Sequence, residues 1–209
     1  YGTAVFDPAT RGTMSLIPTR GKFVLYDTEF TSWEGFLEQK FQAPGRYREI
    51  IQIGAAKLDA GVGSDLNEVE SFCCLVRPKI NSDLSDYIQD LTGISQKNLD
   101  QNAVTFAQAL DSFVAFIGDD TDMLLSFGRD GEVIVENCDI NGVDHPAVLP
   151  PEENLRQYML KIGLLEDYVF SADLPTVFGI DVDFTSHDAL GDARAVASVV
   201  RHLRGAGKL

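Results

Sequence analysis

The stretch VLYDTEFTSW, residues 24–33, opens with three apolar residues typical of a buried strand and then carries two acidic residues. Side chains alternate along a strand, so Asp27 and Glu29 point the same way, with α-carbons about 7 Å apart. Two buried carboxylates on one side repel each other unless positive charge lies between them. For an isolated Asp-x-Glu, a strand that simply ends in solvent with both acids hydrated is the better explanation, so the other motifs must decide.

Length and composition indicate one α/β domain. The chain has 209 residues, 44% of them hydrophobic, which is enough for one sizeable core. No segment is long and apolar enough to cross a membrane, and the first twenty residues lack a secretory signal. We interpret residues 1–20 as an N-terminal extension, with Met14 a candidate natural start preceded by foreign residues, and residues 21–205 as the domain.

The three cysteines, Cys73, Cys74 and Cys138, have no metal-binding spacing. The two adjacent ones are poor disulfide partners for each other. This usage predicts reduced, buried thiols in a cytoplasmic protein.

The net charge of −15, from 32 acidic and 17 basic residues, argues against a broad surface for polyphosphates. It is compatible with a small site in which metal ions supply the positive charge. A nucleic-acid partner would therefore be short or single-stranded and held at few phosphates.

Strand patterns come first along the chain, and helices mixed with strands follow. Residues 22–27, 49–59 and 69–78 predict three strands, the last two joined by the turn AGVGSDLNE. The long aromatic connection 31–48 is either a lid or binding wall, or packs on the core. Further predicted elements are helices at 84–91, 95–100, 105–117 and about 188–204, a strand at 122–127, EVIVENCDI as helix or strand, and PPEENLRQYMLKIG as a helix opened by its prolines and closed at Gly163.

A second acidic cluster lies in TSHDALGDARAVASVVRHL, near the start of the last helix. Asp192 shares a side with Val196, and the helix dipole favours a carboxylate there. Ser186 or Asp188 can cap the helix, which leaves His187 on the preceding loop. In isolation, His187 would be a surface or capping histidine and Asp192 a first-turn acid.

Together, these acids and the histidine suit phosphodiester hydrolysis. That reaction needs an activated water, neutralised phosphate charge and a stabilised leaving oxygen, which two divalent ions about 4 Å apart provide when carboxylates hold them. Mg²⁺ and Mn²⁺ prefer such oxygen ligands. A neutral histidine beside them can accept the proton of the attacking water.

In these motifs the chain resembles the DEDDh 3′-to-5′ exonucleases, which have Asp-x-Glu in the first strand, a middle Asp, and a His separated by four residues from the last Asp. The stretches DTEFT, EIIQIGAAKLD, LSDYIQDLTGISQ and HDALGDARAVA occur in that order. They resemble most the branch of histone-mRNA 3′-end exonucleases and bacterial predicted exonucleases linked to sporulation control. The resemblance covers roughly Lys22 to Leu203.

The resemblance implies an RNase H-like fold, an α/β single domain with a mixed five-stranded sheet flanked by helices. It implies that Asp27 bridges two divalent ions, Mg²⁺ or Mn²⁺. Glu29 and Asp192 would bind the ion that activates water, and His187 would be the general base. The residues implied to lie against the terminal nucleotide are Phe30, Leu91, Thr92, Gly93 and Ile94.

The middle acid departs from the family pattern, which often has Ser-Trp-Gly, two residues, then Asp, with a Cys eight residues further on. In SFGRDGEVIVENC, Phe127 replaces the Trp, and Asp130 comes one residue sooner, although its distance to Cys138 fits. A gapless alignment would place Gly131 at the acid position. We predict Asp130 as the middle acid, with a turn aspartate in RDG as the alternative. Candidates with poorer placement are Asp122 and Asp139.

The sequence therefore predicts a metal-dependent 3′-to-5′ exonuclease that releases nucleoside 5′-monophosphates from single-stranded or short RNA or DNA with a free 3′ end. The first alternative is a catalytically impaired protein of the same fold that binds RNA or a protein partner, favoured if Asp130 fails to reach the metals. A structural domain that only binds divalent ions is the second, and it leaves His187 and LTGI without a purpose. The choice between RNA and DNA and the oligomeric state stay open.

Overall fold

The computed structural model of the chain describes residues 16–61, 65–184 and 187–209. Most of the predicted N-terminal extension, the centre of the predicted turn before the third strand, and the candidate cap Ser186 lie outside the described residues. Within the described part, Ile17 is buried against the core, so the chain packs on the domain before the first strand begins.

The strands of the described ranges form one mixed sheet in the order β3-β2-β1-β4-β5. β1 pairs antiparallel with β2 and β2 with β3, whereas β1 with β4 and β4 with β5 are parallel. This confirms the predicted mixed five-stranded sheet. The strands are Lys22–Phe30 (β1), Ile50–Asp59 (β2), Asn67–Leu75 (β3), Thr121–Ser126 (β4) and Glu152–Asn154 (β5).

Helices flank the sheet, and side chains at their first turns explain where several of them begin. Thr105 forms a capping box with Gln108 at the start of α3, and Asp188 accepts a hydrogen bond from the backbone of Gly191 in α7. The helices are Asp86–Thr92 (α1), Gln96–Asn102 (α2), Phe106–Ile117 (α3), Asp130–Asn141 (α4), Leu155–Lys161 (α5), Leu174–Val177 (α6) and Ala189–Gly205 (α7).

The predicted helix at PPEENLRQYMLKIG is wrong at its start. Residues 152–154 form the short edge strand β5, because the carbonyl of Pro151 accepts the N–H of Leu124 at 2.8 Å and draws the segment alongside β4. The helix begins only at Leu155, after Asn154 accepts the N–H of Gln157. The segment EVIVENCDI, left open between helix and strand, lies within α4.

Alternation along β1 divides the core into two layers. Phe23 and Leu25 pack in the cluster that contains residues of α5, α6 and α7. Val24 and Tyr26 pack in the cluster built by α3 and α4. Since side chains alternate, the acids at the end of β1 continue the α7 side, and Thr28 continues the α4 side.

The prediction that all three cysteines are buried is wrong for Cys73. Cys138 is buried in α4 and Cys74 is half-buried, but Cys73 is exposed because β3 is an edge strand with much of its surface open to solvent. No helix of the described ranges is long and apolar enough to cross a membrane.

Candidate active site

Two carboxylates come from the end of β1. In the antiparallel ladder Asp27 lies opposite Gly54 and Glu29 opposite Gln52. The ladder with β4 stops earlier, at the pair Tyr26–Ser126, so the end of β1 projects past β4. That projection leaves room for the segment after β4 to reach the acids.

A third carboxylate comes from the first residue of α4, directly after β4. Oδ1 of Asp130 accepts hydrogen bonds from the backbone N–H of Thr28, at 3.1 Å, and from its hydroxyl, at 2.8 Å. The side chain is buried. The structure thus brings Asp130 to the acids of β1 although its spacing in the sequence is one residue short.

The other candidates for the middle acid lie elsewhere. Asp122 accepts the backbone N–H of Lys22, at the opposite end of β1, and Asp139 is exposed beside His145. A Cβ added at Gly131 would fall 2.3 Å from a carboxylate oxygen of Glu152, so an acid at that position would meet a carboxylate instead of the β1 acids.

The fourth carboxylate, Asp192, and the histidine, His187, lie at the start of α7. Hydrogen bonds with Gln52 hold this end of the helix against β2. The amide of Gln52 donates to Asp188 at 2.8 Å and accepts the N–H of Ala189 at 3.0 Å. His187 has a φ of 59°, a left-handed conformation that turns the chain just before the helix. Oδ2 of Asp192 accepts a hydrogen bond from the hydroxyl of Ser171 at 3.3 Å.

Close contact between α7 and the sheet depends on a glycine. A Cβ at Gly54 would lie 2.1 Å from the backbone nitrogen of Leu190, a distance that no side chain can occupy. The first turn of α7 therefore rests directly on β2, and this contact sets how far His187 and Asp192 reach over the acids of β1.

We expect Gly54→Ala to lower the free energy of unfolding by about 3 kcal/mol or more, because the added methyl group meets backbone atoms that cannot repack locally. Activity should fall with it, since the start of α7 must move. Gly205→Ala is the control, because its Cβ would have open space at the end of the same helix. Urea unfolding compares the three proteins. Equal midpoints for Gly54→Ala and the parent would contradict the close contact.

All four acids and His187 line one cavity of ≈ 230 Å³. Within it, potential ligand atoms of Glu29, His187 and Asp192 lie within 4.8 Å of one another. Phe30 and Leu91 line the same cavity. The other residues predicted to contact the nucleotide do not line this cavity. Thr92 and Ile94 are buried in the core, and Gly93 is the C-cap of α1.

The carboxylates of β1 are costly to ionise in the absence of cations. Burial raises the pKa of Glu29 to about 8, and the nearby charges of Asp192 and Asp130 add to the rise. The pKa of Asp27 lies well above its usual range for the same reasons, with burial first and the charge of Asp130 second.

The two helix carboxylates are also shifted, but hydrogen bonds limit the rise. Burial raises the pKa of Asp130 to about 6, while the bonds from Thr28 oppose it. Burial raises the pKa of Asp192 to about 6 against the bonds from Ser171 and the backbone of His187. Burial lowers the pKa of the His187 imidazole, with the charge of Asp173 acting in the opposite direction, so the neutral form is favoured.

Divalent cations fit this set of donors. In the described part of the chain, no salt bridge joins a lysine or arginine to any of the four acids. Within the described residues, no ion pair with a lysine or arginine therefore offsets their mutual repulsion. Hard cations that prefer carboxylate oxygen are the partners such a cluster suits.

Several residues that line or support the cavity were not predicted from the sequence. Gln52 carried a usable signal, because it is a polar residue in the middle of an apolar strand. Ser171 carried none, since it belongs to a 3₁₀ turn far from every motif. The remaining unpredicted lining residues that bear a charge or an aromatic ring are Phe41, Arg48, Tyr87, Phe127, Arg129, Arg156, Tyr168 and Phe170.

The RNase T family model, described as Exonuclease, matches residues 24–200 of this chain. The chain therefore belongs to the RNase T exonuclease family, and it is a nuclease. No curated protein sequence matches it.

Solved structures share its fold. The nuclease domain of 3′hExo, a DEDDh family member bound to rAMP, has 24% sequence identity and a TM-score of 0.76, covering 91% of this chain and 95% of that one. Cell-death related nuclease 4 (CRN-4) has 19% identity and a TM-score of 0.71, covering 90% and 65%. Exonuclease I of E. coli in complex with an oligonucleotide has 17% identity and a TM-score of 0.64, covering 89% and 41%.

Proposed function

We propose that this exonuclease works from the 3′ end in a divalent-metal-dependent reaction. Its substrates are single-stranded or short RNA or DNA, and its products are nucleoside 5′-monophosphates. The observation that carries the proposal is the convergence of four carboxylates and His187, from β1, α4 and α7, on one cavity. Three of the carboxylates are buried, and that of Asp27 is half-buried.

The four acids would hold two divalent ions, Mg²⁺ or Mn²⁺. Asp27, at the centre of the acidic cluster, is the candidate shared by both ions. Glu29 and Asp192 lie on the side of His187, and Asp130 on the side of α4. Bound there, the ions would supply positive charge to the phosphate and make a water molecule more acidic.

The protein's own groups would orient the substrate and move the proton. The imidazole of His187 is half-buried and biased toward its neutral form, so it can accept the proton of the attacking water. The hydrogen bond from Ser171 fixes the carboxylate of Asp192 next to it. The left-handed backbone at His187 and the Gln52 bonds to α7 set the position of the ring.

An apolar wall at one end of the cavity supports action at a chain terminus. Tyr87 and Leu91 of α1 face the cavity together with Phe30 of β1 and Leu37 of the following loop. Such a wall suits the base and sugar of a terminal nucleotide whose phosphate lies near the acids. The related nuclease domain of 3′hExo was solved with rAMP, a mononucleotide of the product class.

A 5′-labelled single strand of about twenty nucleotides tests the direction, because it exceeds the ~4–16-nucleotide footprint of typical single-strand sites. We expect a ladder that shortens from the 3′ end, strong slowing by a blocked 3′ end, and no reaction with EDTA. A circular single strand of the same composition is the control and should survive. Cuts within the circle would show an endonuclease and overturn the proposed direction.

The alternative of an impaired protein that only binds RNA or a partner rested on a middle acid that fails to reach the site. Asp130 lies in the cavity and hydrogen-bonds to Thr28 between the two β1 acids. This position supports the catalytic proposal over the alternative, and loss of activity in Asp130→Asn would test it.

A further inference from the structure

A second groove adjoins the active-site cavity on the side of the 31–48 connection. It has a volume of ≈ 500 Å³ and lies between that connection and the outer side of α4. Phe41, Arg48 and Arg129 line both the groove and the cavity, so the two are continuous. We call it the basic groove, and the residues that matter here are Lys40, Phe41, Arg46, Arg48, Arg129 and Glu136.

The charge of this groove is opposite to that of the protein. Lysine or arginine occupies four of its lining positions, and the acids there are Glu136 and Asp139. Arg48 pairs with Glu136 and Arg129 with Glu132, whereas Lys40 and Arg46 form no salt bridge within the described residues. The whole chain has 32 acidic residues against 17 basic ones. A local excess of positive charge beside a phosphodiester-cleaving cavity, in a chain this acidic, indicates a phosphate-binding surface.

The junction between groove and cavity is built by stacked rings and one arginine. The guanidinium of Arg48 lies over the rings of Phe41, at 5.1 Å, and Phe30, at 5.8 Å, and its Nε donates to Glu136 at 3.0 Å. The Phe41 ring also packs edge-on against Phe36 at 5.5 Å. These contacts fix the position of the Arg48 guanidinium, which forms part of the wall of both the basic groove and the active-site cavity.

Backbone strain is retained at the same junction. Lys40 and Phe41 have φ values of 54° and 58°, and each such left-handed residue costs about 1–2 kcal/mol when it is not glycine. The ring of Phe41 packs on Phe36, and the N–H groups of Lys40 and Phe41 donate to the carbonyls of Leu37 and Phe36, both at 2.8 Å, so these contacts hold the two strained residues. The strain turns the loop so that Lys40 and Phe41 line the groove.

We infer that the basic groove binds the phosphates of the substrate strand upstream of the scissile bond, which rests on the proposed function. Arg46 stacks on Trp33 at 4.9 Å, and the exposed ring of Tyr47 lines the groove beside it. Arginine and aromatic faces of this kind hold single strands without reading their sequence. The groove explains how a chain of net charge −15 keeps hold of a strand beyond its last nucleotide.

The double variant Lys40→Gln/Arg46→Gln tests the groove without touching the acids. For an oligonucleotide of about eight nucleotides we expect KM to rise roughly tenfold. The slope of log KM against log salt should fall by about 1.4, the value for two lost single-strand phosphate contacts. The kcat, and all constants for a dinucleotide that cannot reach the groove, should stay unchanged.

The matched control is Lys97→Gln/Lys161→Gln, which removes two exposed positive charges far from the groove and gives the same net charge. Equal effects of both double variants, or no change in either, would overturn the inference. A change in KM or kcat for the dinucleotide would also overturn the inference, because the substitutions would then have altered the active-site cavity. Melting temperatures of both variants check folding, and Lys40→Gln alone serves if the double variant unfolds.

Failure of the proposed function is distinguishable from failure of the groove. A parent protein that cleaves neither substrate would refute the proposed reaction. Fluorescence anisotropy of a labelled oligonucleotide of about eight nucleotides, measured with Ca²⁺, would then still test the groove. Weaker binding by Lys40→Gln/Arg46→Gln than by its control supports the groove, and equal binding overturns it.

Discussion

Asp27→Asn should abolish exonuclease activity and, in metal-free protein at neutral pH, raise the free energy of unfolding. The loss of activity follows from the position of Asp27 among the other acids of the cavity, where its carboxylate is the proposed shared ligand of both ions. Losing several kcal/mol of electrostatic stabilisation in the transition state corresponds to a fall in kcat of about 10³-fold or more.

The gain in stability follows from the direction of the pKa shifts. A carboxyl whose pKa is higher in the folded protein than in the unfolded chain binds its proton more tightly when folded. The carboxyl group then contributes its full stability below its ordinary pKa of about 4. This contribution is lost as the pH rises through the pKa that the group has in the folded protein. For this cluster the loss spans pH values from about 4 to about 8, the range between ordinary carboxyl pKa values and that of Glu29.

Asparagine keeps the shape of Asp27 but removes one charge from the cluster. We expect a stabilisation at pH 8 of at least about 1.4 kcal/mol, the equivalent of one pKa unit, and a smaller gain at pH 5. Saturating Mn²⁺ should reverse the order, because the parent then gains binding energy that the variant lacks.

Asp111→Asn is the matched control, since it removes an exposed carboxylate on α3, outside the cavity. The free energy of unfolding is measured in urea at both pH values, with EDTA and with Mn²⁺. The parent and Asp27→Asn give eight values, and Asp111→Asn is measured under the same conditions. Full activity in Asp27→Asn would refute the site. Stability that falls equally with pH in all three proteins would refute the charge repulsion.

The sequence could predict the strands, the main helices and the acids, because each depends on a local pattern. Alternation places Asp27 and Glu29 on one side of β1, and helical periodicity places Asp192 on the inner side of α7. Two acids at a strand end would not suffice alone, but the ordered motifs that follow them direct attention to the right edge of the sheet. Most of the fold and all the predicted charged residues of the cavity follow from such patterns.

The parts that could not be predicted depend on long-range pairing. The strand β5 forms because the carbonyl of Pro151 accepts a hydrogen bond from the N–H of Leu124 in the neighbouring strand. The local sequence pattern around the prolines does not predict this pairing. The hydroxyl of Ser171 meets Asp192 only through the packing of a 3₁₀ turn on α7. Asp130 was predicted as the middle acid, but the way in which its short spacing still brings it to the site was not. Only residues 127–129 separate β4 from α4, which a motif with fixed gaps cannot describe.

His187→Asn should lower kcat by roughly 10²- to 10⁴-fold, the usual range for losing a positioned general base. Asparagine can keep the left-handed backbone at this position, where φ is 59°, so the start of α7 should stay in place. His202→Asn, the same exchange near the other end of α7, is the control and should leave kcat unchanged.

The pH profile separates a base from a purely structural histidine. Burial lowers the pKa of His187 from its ordinary value of 6.5, so the parent at saturating Mn²⁺ should stay active below pH 6.5 and lose activity only as the ring becomes protonated. This acid limb should vanish in His187→Asn, while Mn²⁺ titration should give an unchanged affinity. Weakened Mn²⁺ binding would instead make His187 a ligand together with Glu29 and Asp192, whose donor atoms lie within 4.8 Å of its ring. An unchanged kcat would reduce its role to shaping the turn before α7.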